Sequence, residues 1–382
     1  MKKFNLLGLL AMFCGCLCFI ACSGNDGEGE EPGGNGGGTD AEGKLVLSAS
    51  ASFINNDGRD AVEFVVKKGD TDVTDKAKIY QGSTSFEGTT FTTTTVGDYT
   101  FFASYEGEIS EKITIKAIVG GVPALPDDLQ PDKYYGFKHR ILLVQSTGTW
   151  CQYCPYMTAG IKSYLSEEEN VEKTIFVAAH NGDVMANKYS DAVNSWVNAR
   201  SYPTLSLNLD SKNQVQHLNV PAATASSIAG AVSTALRNNA NVGISAMVAG
   251  TENGGTLTVN ANVKIGMDAK YRIAVWLLED GIQEAQTNST GLTDENNFSI
   301  HDNVLRISSA TSAYGVQLGE SDSSSKGSAK EYVCTLSLAD AKITSLAKCR
   351  VVILVTTPKD GKFTVDNAVT CPINGSVAFE YE

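Results

Sequence analysis

The residues with the clearest chemical potential are two cysteines separated by two positions, Cys151 and Cys154. They follow an apolar run at residues 141–144 and a short polar turn, and an amphipathic pattern with helical spacing begins at Cys154. A strand therefore delivers the pair to the start of a helix, where free backbone N–H groups and the helix dipole stabilise a thiolate. The pattern predicts thiol–disulfide exchange, with Cys151 as the exposed nucleophile and Cys154 as the resolving thiol.

A zinc knuckle is the main alternative for this spacing. Structural zinc needs four ligands, and the mature chain has no second Cys-x-x-Cys and no closely spaced histidine pair. Redox chemistry is therefore favoured over a metal site. The sequence predicts no metal and no other cofactor.

The segments that follow the pair would position it. Residues 174–180 form a second apolar run, residues 190–200 place apolar side chains on one helical face, and Pro203 opens an alternating strand. A proline in a strand needs a special reason, and a cis peptide bond facing the cysteines supplies one. Trp-Cys-x-x-Cys followed by Arg-x-x-Pro-Thr-Leu resembles thioredoxin-like proteins over roughly residues 135–240.

This resemblance implies a role for each matching residue. Cys151 and Cys154 would be the redox pair, and Trp150 would shape the surface beside the thiolate. Pro203 would be the cis-proline, and Tyr202 before it would offer backbone groups to an extended substrate segment. The partners would be protein or peptide thiols and disulfides.

Gln145 departs from the thioredoxin pattern. Thioredoxins carry a buried acid at this position, where it helps to move the proton of the resolving thiol, and glutamine cannot accept a proton. A second hypothesis therefore stays open, in which the cysteines form an inert disulfide in a surface adhesin or binding protein.

The amino-terminal residues predict export. Residues 1–21 combine a basic start with an apolar stretch, and their ending before Cys22 resembles a lipoprotein signal in which Cys22 is lipidated. A soluble secreted protein is the alternative. Residues 22–43 are rich in Gly and acidic side chains and predict a flexible tether that joins the protein to the membrane.

The remaining chain predicts a multi-domain protein. An immunoglobulin-like β-sandwich is predicted at residues 44–117, a linker at 118–136, a central α/β thioredoxin-like domain at 137–240 and a C-terminal β-sandwich at 241–382 with a long insertion at 279–331. The net charge of -13 argues against nucleic acid, whose phosphates require clustered Lys and Arg.

A thioredoxin-like unit followed by such a β domain in a lipoprotein resembles the twenty-eight-kilodalton outer-membrane-protein family of gut and oral Gram-negative anaerobes. The resemblance spans roughly residue 133 to the end. It implies a lipid-anchored outer-membrane protein, on the periplasmic face or at the cell surface. Some members are regarded as adhesins or receptors, so family resemblance does not decide whether the cysteines turn over.

Other cysteines and one histidine carry further predictions. Cys349 and Cys371 both lie eleven residues from Asp360 in a turn, so a regular hairpin would place them opposite each other as a structural disulfide. Cys334 alternates with apolar residues and is predicted to be a buried small hydrophobe. His180 ends a strand and could lie near Cys151, or it could be solvated.

Overall fold

β-strands dominate the part of the chain that the structure describes, and within that part helices occur in the central region and in two short C-terminal turns. The computed structural model describes residues 43–50, 53–118, 122–250, 255–293 and 297–382. The predicted signal sequence, the lipidation site Cys22 and the predicted tether before residue 43 lie outside these residues. Within the described part of the chain, no helix is both long enough and apolar enough to cross a membrane.

Residues 45–118 form two sheets around one apolar core. Along the third strand, Val62, Phe64 and Val66 are buried and the residues between them are exposed, as expected for a strand with one face on a core. The strands are β1 (Leu45–Ala49), β2 (Phe53–Asn55), β3 (Val62–Lys68), β4 (Thr71–Asp72), β5 (Lys78–Gln81), β6 (Thr84–Phe86), β7 (Thr90–Phe91), β8 (Gly97–Tyr105), β9 (Glu108–Ile109) and β10 (Ile113–Ile118). β1, β3, β4 and β7 form one sheet, and the other strands form the second.

The central part alternates strands and helices. Its elements are β11 (Ile141–Thr147), α1 (Cys154–Tyr164), α2 (Glu168–Lys173), β12 (Thr174–His180), α3 (Lys188–Trp196), β13 (Thr204–Leu207), β14 (Gln214–Val215) and α4 (Pro221–Ala235). β11 pairs in parallel with β12 and antiparallel with β13, and β13 pairs antiparallel with β14. The predicted strand at residues 174–180 is confirmed.

The C-terminal part is a second pair of stacked sheets. Its elements are β15 (Val242–Gly250), β16 (Thr256–Ile265), β17 (Arg272–Glu279), β18 (Ile282–Gln283), β19 (Ile300–His301), β20 (Val304–Ser308), β21 (Val316–Gln317), β22 (Ala329–Ser337), α5 (Leu338–Ala341), a 3₁₀ turn (Leu346–Lys348), β23 (Cys349–Lys359), β24 (Lys362–Pro372) and β25 (Ser376–Val377). The sheet of β22, β16, β15 and β25 packs its apolar face on β17, β23 and β24.

One sheet runs through both the central and the C-terminal parts. Its strand order is β14-β13-β11-β12-β20-β17-β23-β24, with β21 added on β17. β20 comes from the predicted insertion at residues 279–331 and joins the two parts: the Ala178 N–H donates to the Asn303 carbonyl oxygen at 2.9 Å, and β20 pairs antiparallel with β17. Residues 137–240 and 241–382 therefore share a sheet, where the sequence predicted two separate domains.

Every residue of β11 is buried because both faces of the sheet are covered. Ile141 and Leu143 face a core formed with α1 and α4. Leu142 and Val144 face the opposite core, which also contains α3 and residues of β17 and β23. This explains why the sequence shows an unbroken apolar run instead of an alternating one.

The C-terminal part of the protein binds the segment that leads into β11. Arg140 forms a two-pronged ion pair with Glu380 at 2.7 and 2.9 Å, and the Lys138 N–H donates to the Glu380 carbonyl oxygen. Lys264 Nζ lies 2.5 Å from Asp128 Oδ2 and donates to the Gln130 carbonyl oxygen at 2.6 Å. The predicted linker, residues 118–136, is thus fixed on the C-terminal part at residues 128 and 130, and residues 138 and 140 after it are fixed there as well.

The predicted disulfide between Cys349 and Cys371 is absent, and both residues are buried free thiols. The turn contains two residues, so Lys359 pairs with Lys362, and a bulge between Val355 and Thr356 shifts the register again. Cys371 therefore faces Val351 and not Cys349. The offset of two residues is about 7 Å along a strand, which exceeds the reach of a disulfide.

Candidate functional site

The two cysteines of the Cys-x-x-Cys motif are bonded to each other, and they lie where the sequence predicted, between a strand and a helix. Cys154 is the first residue of α1, and Cys151 lies in the preceding turn, where its N–H donates to the Gly148 carbonyl oxygen at 3.0 Å. The side chain of Tyr153, the N-cap residue, makes no hydrogen bond that caps the helix. In the first turn, the Cys154 N–H donates to the Cys151 carbonyl oxygen at 3.2 Å and the Tyr156 N–H to the Tyr153 carbonyl oxygen at 3.1 Å, and Pro155 has no N–H. Stabilisation of a negative sulfur here therefore comes from the helix dipole.

Both sulfur-bearing residues are buried, so the expectation of an exposed Cys151 is wrong. Cys151 is 3% exposed and Cys154 is 1% exposed. Residues 286–290, here called the cover segment, lie against the turn that carries Cys151. The Thr287 N–H donates to the Thr149 carbonyl oxygen at 2.8 Å, and the Ser289 N–H donates to the Gln152 carbonyl oxygen at 3.0 Å.

Side chains at both ends of the cover segment add to this contact. The Gln286 carboxamide nitrogen lies 3.3 Å from the Gly148 carbonyl oxygen, 3.2 Å from that of Thr149 and 3.0 Å from that of Cys151. At the other end, the Tyr156 hydroxyl donates to the Thr290 carbonyl oxygen at 2.9 Å. The cover segment is therefore held by both the Cys151 turn and α1.

The predicted aromatic and proline residues meet beside the cysteine turn. The peptide bond between Tyr202 and Pro203 is cis, which confirms the predicted conformation. Thr204, the next residue, pairs with Ser146 of β11, and the Tyr202 ring lies 5.3 Å from the ring of Trp150. About half of the Trp150 side chain is exposed, and its indole N–H donates to the Asn181 carbonyl oxygen at 2.7 Å.

Gly148 allows the Trp150 ring to lie over the turn. A Cβ atom on Gly148 would lie 2.7 Å from the indole nitrogen of Trp150 and 2.9 Å from the Asn181 carbonyl oxygen. Neither distance is compatible with a side chain, so glycine is required by the close approach of these groups.

His180 is buried beside an aspartate that the sequence reasoning missed. Its Nδ1 lies 2.7 Å from Asp183 Oδ2, and the Thr149 N–H donates to the same carboxylate oxygen at 2.9 Å. Burial raises the pKa of Asp183, but the hydrogen bonds from His180, Thr149 and Met185 outweigh it and hold that pKa below its usual value. The alternative of a solvated His180 is wrong, and the ionised Asp183 ties β12 to the cysteine turn.

A cavity of about 120 Å³ lies next to Pro155, the second residue of α1, between α1, the β11–β12 pair and residues 298–303. Its lining includes Gln145, His180, Gln286 and His301. Gln145 donates through its amide nitrogen to the Thr158 hydroxyl at 3.3 Å. Burial and the nearby His180 lower the pKa of His301, whose ring lies 5.2 Å from that of His180. The position that carries an acid in thioredoxins thus borders a cavity with two histidines.

Among the described residues, no group of three or more His, Cys, Asp or Glu side chains is arranged to hold a metal ion. Cys334 is buried, as predicted. The cover segment gave no sequence signal, because its residues are polar and far from Cys151 along the chain. Asp183 could have been found by its position three residues after His180.

Comparison with known protein families gives a match over part of the chain. Residues 190–374 match the family model of the outer membrane protein Omp28. The resemblance to this family is confirmed. The match also confirms the predicted outer-membrane location. The matched range begins in α3 and ends after β24, so it does not contain Cys151 or Cys154.

Among solved structures, the chain is similar to HBP35 of Porphyromonas gingivalis. The two chains are 17% identical, and the alignment covers 64% of this chain and 77% of the other, with a TM-score of 0.49. No curated protein sequence matches the chain.

Proposed function

We propose that this outer-membrane protein exchanges disulfides with protein partners outside the cytoplasm, using Cys151 and Cys154. The observation that carries the proposal is the bonded pair at the first residue of α1, beside the strand that begins after the cis Pro203. The order β12-β11-β13-β14 with α1 and α4 on one face supports a thioredoxin-like unit at residues 137–240.

The chemistry balances as a two-electron exchange. A partner thiolate attacks the Cys151 sulfur, the Cys151–Cys154 bond breaks, and Cys154 leaves as a thiolate. A second partner thiolate then attacks the partner sulfur of the mixed disulfide and releases reduced Cys151. The partner is oxidised to a disulfide, and the reverse sequence reduces one.

Each remaining residue has a proposed part in this exchange. Tyr202 and Pro203 position the backbone of the partner, and Trp150 forms the exposed surface next to the turn. Residues 44–117 serve as an immunoglobulin-like spacer, and a lipid on Cys22 anchors the chain in the membrane.

Insulin reduction and the refolding of scrambled ribonuclease test the proposal. Cys151→Ser should reduce activity to background, because it removes the sulfur that forms the mixed disulfide. Cys334→Ser is the matched control, since this buried thiol lies on β22. Equal activity of wild type and Cys151→Ser would refute the exchange function.

A second candidate is a surface adhesin or binding protein in which the disulfide is inert. The burial of both cysteines under the cover segment favours it, as does Gln145 in place of an acid. The reduction potential of the pair separates the two functions. A value far below about -300 mV would indicate a structural bridge, and a higher value a working pair.

A further inference from the structure

The cover segment contacts the cysteine turn in the manner of a bound extended peptide. Thr287 and Ser289 direct their N–H groups to carbonyl oxygens of the turn, at Thr149 and Gln152, while Asn288 lies between them. N–H groups of alternate residues point to the same side of an extended chain. Backbone bonds of this kind provide affinity without requiring a particular side chain.

One side chain of the cover segment adds to these backbone bonds. The carboxamide nitrogen of Gln286 lies 3.0 to 3.3 Å from the carbonyl oxygens of Gly148, Thr149 and Cys151, and 3.1 Å from that of Thr287. The three oxygens of the turn also accept backbone N–H groups, from Cys151, Thr287 and Cys154 respectively. The Gln286 side chain therefore strengthens the contact, and the backbone bonds do not depend on which side chain stands at this position.

We propose that the cover segment occupies the turn at residues 148–152 as an internal extended peptide, and that an extended polypeptide partner displaces it and takes over its backbone hydrogen bonds. The inference rests on the proposed function, because displacement is what would expose Cys151 to a partner thiolate. The partner is thus a polypeptide that supplies two backbone N–H groups to the carbonyl oxygens of Thr149 and Gln152.

The rate at which a phosphine reduces the disulfide tests the cover. The probe is tris(2-carboxyethyl)phosphine, applied to the full chain, with reduced Cys151 and Cys154 counted by alkylation and mass spectrometry. Ser289→Pro and Thr287→Pro each remove one N–H donor, and Ser289→Ala and Thr287→Ala keep it. Loss of one such hydrogen bond should make reduction about threefold to tenfold faster in each proline variant, while the alanine variants should match the wild type.

If both proline variants keep the wild-type rate of disulfide reduction and an unchanged circular dichroism spectrum, the cover segment does not protect the disulfide. If a proline variant does not fold, Gln286→Ala provides the same test from the side-chain contact. The phosphine reduces the disulfide directly, without catalytic turnover by the protein. The proposed exchange function and the proposed cover can therefore be refuted independently. Faster reduction without insulin activity would refute only the exchange function, and activity with unaltered reduction rates would refute only the cover.

Peptides added in trans test the docking site. A peptide with the sequence of residues 285–291 should slow phosphine reduction of Ser289→Pro at millimolar concentration. The matched peptide with N-methyl groups at positions 287 and 289 lacks both donors and should give no protection. Equal protection by the two peptides, or none by either, would overturn the docking site.

Discussion

At the scale of single residues, the described cysteines fall into two chemical classes. Cys151 and Cys154 are bonded to each other. Cys334, Cys349 and Cys371 are free and buried, and burial raises the pKa of the Cys334 and Cys349 thiols to about 12 and that of Cys371 to about 11. These three thiols stay protonated at neutral pH, and the thiolate is the reactive form.

This difference predicts the result of thiol mapping. At pH 8 without reductant, iodoacetamide should leave Cys334, Cys349 and Cys371 unlabelled in the native protein and label all three in denaturant. Peptides that contain Cys151 and Cys154 should be recovered as an unlabelled pair that reacts after reduction. Recovery of a linked Cys349–Cys371 peptide would contradict the hairpin register described above.

The position of the pair could be predicted from the sequence, and its exposure could not. Cys151 and Cys154 lie at a strand–helix junction that local periodicity reveals. Residues 286–290, which contact the turn at Thr149, Cys151 and Gln152, are distant along the chain and carry no periodic pattern. The error at Cys349 has a similar origin, because the extra residue of the bulge at Asp366 does not interrupt the apolar alternation enough to be recognised.

At the scale of elements, β20 holds the central and C-terminal parts together. Glu279, at the end of β17, is fully buried and lies 3.2 Å from Arg306 of β20. The same carboxylate accepts hydrogen bonds from the backbone and hydroxyl of Thr344. Removing one member of a buried ion pair leaves the other charge without its partner.

Arg306→Ala should therefore lower the free energy of unfolding by about 3 kcal/mol. The double variant Arg306→Ala with Glu279→Gln should recover part of this loss, because it removes the uncompensated charge. Chemical denaturation followed by tryptophan fluorescence measures both. Arg59→Ala, at an exposed position, is the control and should change the free energy of unfolding by less than about 0.5 kcal/mol. An equally small change in Arg306→Ala would show that the ion pair between Glu279 and Arg306 does not stabilise the contact between β17 and β20.

Strand identity and strand partners differ in how well a sequence reveals them. The strand β12 has a strong apolar run and was predicted at its observed position. Its pairing with β20, which comes from the insertion predicted at residues 279–331, was not predicted. The continuity of the sheet was missed, because periodicity shows which face of a strand is buried but not which strand lies beside it.

At the scale of the whole molecule, α3 links the two halves of the large sheet. Val193 and Val197 belong to the same core as Leu142 and Val144 of β11 and Trp276 of β17. This core therefore needs residues from both sides of the predicted boundary at residue 240. By contrast, the amino-terminal sheets enclose a core of their own.

A chain that ends at residue 240 should consequently fail to form a stable central unit, because one face of β11 and β12 would lose the strands that complete its core. We expect no cooperative thermal transition for its α/β part and elution as aggregates in size-exclusion chromatography. The matched truncation that starts at residue 122 should unfold cooperatively, since it removes only the self-contained amino-terminal sandwich. Cooperative unfolding of both α/β units would show that the shared sheet is dispensable.

The contacts between residues 128–140 and the C-terminal part also have a mechanical consequence. Tension applied to the chain from its amino-terminal side reaches the hydrogen bond from Asn260 to the Pro123 carbonyl oxygen, and then the contacts of Lys264 with Asp128 and Gln130. The two-pronged ion pair between Arg140 and Glu380 comes next. Ile141, the first residue of β11, follows directly. Load is thereby diverted into the C-terminal strands, and the sulfur pair at the far end of β11 is shielded from pulling.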